Sequence, residues 1–146
     1  MGEDYGYLGI NDGKLRHCLM VAKLMYEMSL DDGKTEDFAR EMFTLGYLHD
    51  IGYEFSLNTK EHPKVGGELL KFQGYKYYKE IIFHGSIDCP YSSYALDLLN
   101  KVDLMVDSHG QNIGATERIK DIRVRYGENS KEYKNACILA KRLKLI

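Results

Sequence analysis

The spacing of apolar residues predicts helices along most of the chain. Over residues 14–29, two neighbouring ridges of apolar side chains recur at intervals of three and four residues. Only a narrow strip of this segment is clearly polar, at Arg16, Lys23 and Glu27. No segment of useful length alternates apolar and polar residues as a half-buried strand does. The pattern therefore predicts helical structure, with this first helix near the centre.

Turn and capping residues mark the limits of the other helices. Thr35 is an expected N-cap for a second helix that runs to about Asp50 and ends before Gly52. His62 followed by Pro63 is typical of an N-cap with proline at the first helical position, and the Gly66-Gly67 pair in that helix would let another backbone approach closely. The remaining predicted helices are a short one that ends in IIFHG, one over residues 95–106 capped by Ser92 or Ser93, one that Thr116 caps and that ends near Gly127, and one that begins at Ser130.

Length and composition fit one globular domain. A chain of 146 residues is the usual size of a single domain, and its 44% hydrophobic and 29% charged residues exclude extensive disorder. We predict an all-α, single-domain helical bundle of six to seven helices over residues 1–146. In it, the C-terminal helices over residues 115–144 pack on a core formed by residues 14–107.

The charge balance limits the partners. With 20 Lys and Arg against 22 Asp and Glu, the chain lacks the strong positive field that binds nucleic acid or anionic lipid. No apolar run approaches the ~20 residues that a membrane span needs, and the start MGEDYGYLG is acidic where a signal peptide is basic and then apolar. We expect a cytoplasmic protein that binds neither nucleic acid nor membranes, with a homodimer as the default oligomeric state.

Histidine and aspartate are the candidate metal ligands. The three cysteines are odd in number and form no CxxC pair, which argues against a disulfide framework and against a thiolate zinc site. His49 and Asp50 continue two apolar ridges of the second predicted helix, and His17 and Asp103 fall on apolar faces of theirs. Each alone has an ordinary structural explanation. Together they direct imidazole and carboxylate groups inward from three helices, which is typical of a catalytic divalent metal site.

These residues form an ordered motif. His17, then His49-Asp50 within YLHDIG, then Asp103 within LLNKVDLMVD, resembles the signature of the HD-domain metal-dependent phosphohydrolase superfamily. His62 in EHPKVGGELL and His84 in IIFHG are similar to the two further histidines of the branch that holds two metals, in the order H…HD…H…H…D. The resemblance covers roughly residues 14–107 and implies an HD-type fold.

The resemblance also implies a ligand set. His17, His49, Asp50 and Asp103 would hold a first divalent metal ion, Asp50 would bridge to a second, and His62 with His84 would complete the second site. Asp50 and His49 are then the implied catalytic pair. Two ions ~3.5–4 Å apart can activate a shared water and clamp phosphate oxygens. His62 and His84 also suit plain helix-capping or surface positions, so the number of ions, one or two, stays open, as does their identity among Fe, Mn, Ni, Co, Zn and Mg.

Candidate phosphate contacts come from nearby cations. Many relatives have a lysine directly after HDIG, where this chain has Tyr53. Other cations lie near the motifs, at Lys14, Arg16, Lys60 and Lys64. Lys64 and Arg118 are the predicted substrate-binding residues. Lys64 lies two residues after the candidate ligand His62, and the guanidinium of Arg118 can bind phosphate in bidentate fashion. The alternative for Arg118 is a surface helix with Glu117 or Asp121 as its partner.

The resemblance implies hydrolysis of a phosphate ester or anhydride in a small molecule by metal-activated water. Within that class, we expect a nucleotide as the substrate. Two alternatives use the same residues. A non-catalytic sensor would bind nucleotide and metal without turnover, and a di-iron oxygenase of the HD type would activate oxygen. A third alternative is a structural helical bundle whose histidines have no functional role, and this hypothesis predicts no metal binding.

Overall fold

A computed structural model describes residues 10–55 and 61–146, and the acidic start of the chain and Lys60 lie outside this part. The described residues form seven helices of six residues or more and the one-turn α3, with no β-strand. The all-α prediction is confirmed. The helices are α1 (Asp12–Asp31), α2 (Glu36–Leu48), α3 (Gly52–Phe55), α4 (His62–Phe72), α5 (Tyr78–Phe83), α6 (Tyr94–Asp103), α7 (Gly114–Tyr126) and α8 (Lys131–Arg142).

Side-chain caps begin most of the long helices. The Asn11 side chain accepts a hydrogen bond from the Lys14 N–H at the start of α1. The predicted caps Thr35 and Ser93, and Ser130 at the predicted start of the last helix, each accept a bond from the N–H three residues ahead, at the starts of α2, α6 and α8. Each such bond satisfies one of the N–H groups that a helix leaves unpaired at its first turn.

Three predicted boundaries were wrong. α6 ends at Asp103 rather than near residue 106, because the next residues close a loop in which Met105 O accepts from the N–H groups of Ile113 and Gly114. α7 begins at Gly114, so Thr116 lies inside its first turn instead of capping it. His62 is the first residue of α4 rather than its cap, which is Glu61.

The central core joins helices that are distant in the sequence. α1 and α2 pack against each other and against α6, and α4, α5 and α6 complete the cluster around Met25, Leu45 and Leu99. A second, smaller cluster joins α7 and α8 to Leu104, with Ile119, Leu139 and Ala140 at its centre. Among the described residues, no helix combines the length and the hydrophobicity that crossing a membrane requires.

Two glycines let the elements that carry the HDIG segment and α5 approach α4 closely. A Cβ on Gly66 would lie 2.8 Å from the backbone nitrogen of Gly52, and one on Gly67 would lie 2.9 Å from that of Ile82. Any larger residue would push these backbones apart. The predicted role of the glycine pair is confirmed, and the close approach brings the start of α4 next to the residues that follow α2.

Candidate metal centre

Helix ends bring six side chains together inside the bundle. Most of these residues lie at a helix terminus or directly beyond one. The group consists of His17 within α1, His49 and Asp50 directly after α2, His62 at the start of α4, His84 directly after α5 and Asp103 at the end of α6. These are the six residues that the sequence motif predicts as ligands.

Asp50 lies at the middle of the cluster, with its two oxygens facing different histidines. Its Oδ2 is 3.2 Å from His49 Nε2 and 3.6 Å from His17 Nε2. Its Oδ1 is 3.1 Å from His62 Nε2 and 3.4 Å from His84 Nε2. The carboxylate is almost fully buried, with 6% of the side chain exposed. One carboxylate therefore separates two pairs of imidazoles.

Asp103 adds a second carboxylate on one side only. Its Oδ1 lies 2.9 Å from His17 Nε2 and 3.3 Å from His49 Nε2. Its side chain is 28% exposed, so it is half-buried rather than fully buried as its register in α6 suggested. The His17 and His49 side of the cluster thus has two carboxylates, and the His62 and His84 side has one.

Backbone carbonyls fix three of the imidazole rings. The Nδ1–H groups of His17, His49 and His84 donate to the carbonyl oxygens of Asp107, Gly46 and Ile81, at 3.0, 2.6 and 2.6 Å. Because Nδ1 carries the proton in each bond, the neutral ring presents its Nε2 lone pair to the centre. Metal-binding histidines are oriented in this way by the acceptor at their other nitrogen.

The donor set fits a divalent metal ion. His49 Nε2 is completely buried and has no hydrogen-bond partner in the described part of the chain, although two carboxylates lie near it. When His49 is neutral, as a metal ligand must be, its Nε2 lone pair and these carboxylate oxygens repel one another unless a cation lies between them. The donor-to-donor separations of 2.9–3.6 Å also match the edges of a coordination shell with ligand distances of about 2.0–2.2 Å. The cluster contains three overlapping groups of three donors that could hold an ion.

The charges of the cluster shift its protonation equilibria. Burial by itself would lower the pKa of His49, but the Asp50 and Asp103 carboxylates outweigh it and hold that pKa well above the ordinary value. Burial by itself would raise the pKa of Asp50 and of Asp103. His49, with Lys14 at Asp50 and His17 at Asp103, keeps both pKa values well below the ordinary range. The two carboxylates are therefore ionised, as metal ligands must be.

A lysine and a tyrosine border the centre. Lys14 Nζ is 3.4 Å from Asp50 Oδ2 and 4.0 Å from the centroid of the Tyr53 ring. Tyr53 also stacks on the ring of His62, with centroids 3.9 Å apart. Burial raises the pKa of the Tyr53 hydroxyl, and the Asp50 carboxylate adds to the rise. Tyr53 is therefore neutral at physiological pH.

The predicted substrate-binding residues differ in their placement. Lys64 is exposed on the first turn of α4 and makes no hydrogen bond or ion pair with the cluster in the described residues. Arg118 is mostly buried, pairs with Asp121 at 2.9 Å and is close enough to Tyr53 to influence the pKa of that residue. The expected Asp121 partner is present. Contact of either residue with a substrate stays a prediction.

Some supporting groups have no sequence signal. The carbonyls of Gly46, Ile81 and Asp107 orient the histidines, but any residue type supplies a carbonyl. The buried Asn100 side chain accepts from the Gly85 N–H at 2.8 Å and so fixes the turn after His84. Only the contact of Lys14 with the centre had a signal, since Lys14 precedes His17 by three residues on one helix face.

Comparison with known proteins agrees with this site. No curated protein and no solved structure matches the chain. Among protein-family models, the HD domain matches residues 15–142, a span that includes all six clustered residues and the helices that carry them. HD domains are all-α and are in general metal-dependent hydrolases. The chain belongs to the HD domain family.

Proposed function

We propose that this protein is a metal-dependent phosphohydrolase that uses metal-activated water to cleave a phosphate ester or anhydride in a small molecule. We propose a nucleotide as that molecule. The observation that carries the proposal is the arrangement around Asp50, where each carboxylate oxygen faces its own pair of imidazoles. A histidine cluster that only stabilises the fold does not need each carboxylate oxygen to face a separate pair of imidazoles. Two neighbouring cations that share one carboxylate do need this division of the ligands.

The proposed ligands follow from this division. His17, His49 and Asp103 would hold a first ion with Asp50 Oδ2, and His62 with His84 would hold a second ion with Asp50 Oδ1. Imidazole and carboxylate donors suit Fe, Mn, Ni, Co and Zn, and carboxylates also suit Mg. When bound, two divalent ions supply an activated water and positive charge for the oxygens of an in-line displacement at phosphorus.

The side chains of this protein would set the geometry of that chemistry. Asp50 is buried and faces imidazoles on both sides, so its position limits how far the two halves of the site can separate. The carbonyl bonds at His17, His49 and His84 prevent those rings from turning away. The protein therefore holds its donors in place before a substrate arrives, which lowers the entropy cost of the reaction.

Substrate contacts would come from residues at the edge of the site. The buried Nε of Arg118 has no hydrogen-bond partner in the described residues, and a phosphate oxygen that reached it would supply one. Lys64 remains the second proposed phosphate contact. Tyr126 is half exposed and lies near Tyr53, which gives an aromatic surface on which a nucleotide base could stack.

Metal content and turnover, measured on one sample, test the proposal. The protein is purified without chelator, its metal per chain is determined by elemental mass spectrometry, and hydrolysis of p-nitrophenyl phosphate, bis(p-nitrophenyl) phosphate and a nucleotide panel is assayed. Asp50→Asn removes the shared ligand, and Asp97→Asn on the exposed face of α6 is the matched control. We expect bound metal and metal-dependent hydrolysis in the wild type and in Asp97→Asn, and loss of both in Asp50→Asn.

Other outcomes distinguish the alternatives. Metal and nucleotide binding without turnover would support a sensor. Turnover that requires oxygen and cycles with iron oxidation would support a di-iron oxygenase. A folded protein that takes up none of Fe, Mn, Ni, Co, Zn and Mg would contradict every metal-dependent function.

A further inference from the structure

Lys14 places a positive charge at the edge of the metal centre. Its Nζ is 3.4 Å from Asp50 Oδ2, and 25% of its side chain is exposed. The Lys14 side chain therefore contacts the central carboxylate and is partly open to solvent. His17 lies three residues further along α1, so the same helix face carries a ligand and this cation. This position suits contact with an anion that approaches the centre from solvent.

The Tyr53 ring restricts where that charge can be. Lys14 Nζ lies 4.0 Å from the ring centroid, and the His62 ring stacks on Tyr53 with centroids 3.9 Å apart. Lys14 Nζ and the His62 ring are both too close to the Tyr53 centroid to lie on the same face of that ring. The Tyr53 ring therefore lies between them. A lysine side chain is otherwise free to adopt many rotamers, and contact with the ring face reduces that freedom.

Metal binding changes what Lys14 can pair with. Without metal, Lys14 is one of the positive partners of Asp50. A carboxylate that binds divalent cations no longer needs an ammonium partner, and those cations repel the ammonium group at short range. An anion between the metal centre and Lys14 would remove this repulsion. Lys14 is therefore expected to oppose metal binding slightly and to favour phosphate binding.

We propose that Lys14 binds a phosphate group of the substrate and that Tyr53 is the residue that positions it. The proposal rests on the proposed function, because it assigns a role in the same site. It also explains why an aromatic residue, Tyr53, follows HDIG. Lys14 of α1 supplies the positive charge at this edge of the site, and the Tyr53 ring fixes the position of that charge.

Phosphate binding to the metal-loaded protein tests the role of Lys14. Inorganic phosphate is titrated into Mn²⁺-loaded protein by calorimetry, and Mn²⁺ content and affinity are measured on the same samples. Lys14→Met removes the charge, and Lys23→Met, on the exposed strip of α1, is the matched control. We expect Lys14→Met to weaken phosphate binding about tenfold, the usual effect of one charge-assisted hydrogen bond. Its Mn²⁺ affinity should be equal to or higher than that of the wild type, and Lys23→Met should behave as the wild type.

Two variants of Tyr53 test its positioning role. Tyr53→Phe keeps the ring and should keep phosphate affinity close to that of the wild type. Tyr53→Leu removes the ring and should weaken phosphate binding as Lys14→Met does. Combining Tyr53→Leu with Lys14→Met should add little, because both changes disrupt one interaction. A merely structural tyrosine would instead give additive losses.

The outcomes separate this proposal from the proposed function. A wild-type protein that takes up no Mn²⁺, or that binds Mn²⁺ but no phosphate, contradicts the proposed function and this proposal together. Wild-type phosphate binding that Lys14→Met leaves unchanged overturns this proposal alone. Loss of Mn²⁺ in Lys14→Met also overturns it, since Lys14 would then support the geometry of Asp50.

Discussion

Single residues outside the cluster fix the position of its ligands. One example concerns His84, on the side of the cluster that His62 and His84 form. Asn100 is buried in α6, and its Oδ1 accepts a hydrogen bond from the Gly85 N–H. Gly85 has a φ of +79°, a left-handed conformation that glycine adopts without strain. The amide and the glycine together fix the turn directly after His84. Their effect should therefore reach the His62 and His84 side of the site and leave the His17 side unchanged.

Asn100→Ala tests this division of the site. The variant leaves the Gly85 N–H without its acceptor, which should cost about 1–3 kcal/mol of stability in urea unfolding. The affinity for the second ion should fall about 10–100-fold, as is usual when a group that orients a ligand is lost. The first ion should stay bound. Equal loss of both ions in a metal titration would contradict the assignment of His84 to a separate site.

Protonation of the cluster should make the metal-free protein sensitive to pH in both directions. The pKa of His49 is raised in the folded state, so its contribution to stability is complete below the ordinary pKa of 6.5 and is lost as pH rises toward the folded-state pKa. The pKa values of Asp50 and Asp103 are lowered, so their contribution is complete above 3.8 and is lost as pH falls. Stability should therefore be greatest between about pH 4 and 6.5.

Urea unfolding of chelator-treated protein across pH 3–8 measures this dependence. Bound metal should reverse the pH dependence of stability above about pH 6, because metal ligation requires neutral imidazoles and strengthens as the imidazoles lose their protons. Between pH 6 and 8, the metal-free protein should lose stability while the metal-loaded protein gains it. Parallel curves for the two forms would show that the histidines do not bind the metal.

At the scale of helices, the close contact of α1 with α2 aligns the first part of the site. A Cβ on Gly46 would lie 2.7 Å from the Cα of Ala22, so only glycine allows this approach of α1. The same residue offers its carbonyl to His49. Helix separation and the orientation of the His49 ring therefore depend on one position of α2.

Gly46→Ala should disturb both functions of this contact. Overpacking of a core contact costs about 1–3 kcal/mol, more than the alanine gains in helix propensity. Urea unfolding should show this loss of stability, and metal titration should show weaker binding of the first ion. Arg40→Ala, on the exposed face of α2, is the control and should change stability by less than about 0.5 kcal/mol. Wild-type stability in Gly46→Ala would mean that the helices adjust without cost.

At the scale of the whole molecule, the two hydrophobic clusters predict unequal local stability. The central cluster joins α1, α2, α4, α5 and α6, whereas α7 and α8 pack mainly on each other and on Leu104. A small cluster opens at a lower free energy than the main core. Amides of α7 and α8 should therefore exchange with deuterium faster than those of α1, α2 and α6 in mass spectrometry. Equal protection throughout would indicate one cooperative unit.

The sequence predicts which residues meet but not how they are held. Helical periodicity places His17, His49 and Asp50 on inward faces, and the caps Thr35, Ser93 and Ser130 follow from local chemistry alone. The end of α6 could not be predicted, because Val106 continues the apolar pattern while its buried side chain belongs to a loop. The sharing of the Asp50 oxygens depends on side-chain rotamers and on packing between distant helices, which periodicity does not contain.

The carbonyl bonds of the histidines have a consequence for the leaving group. Each of His17, His49 and His84 donates its Nδ1 proton to a backbone carbonyl, and in the proposed site its Nε2 would hold a metal ion. These rings then have no proton to give to a departing alkoxide. Rates should depend steeply on the acidity of the leaving group, with anhydrides and nitrophenyl esters cleaved far faster than alkyl esters. The substrate range would thus be limited by proton supply as well as by shape.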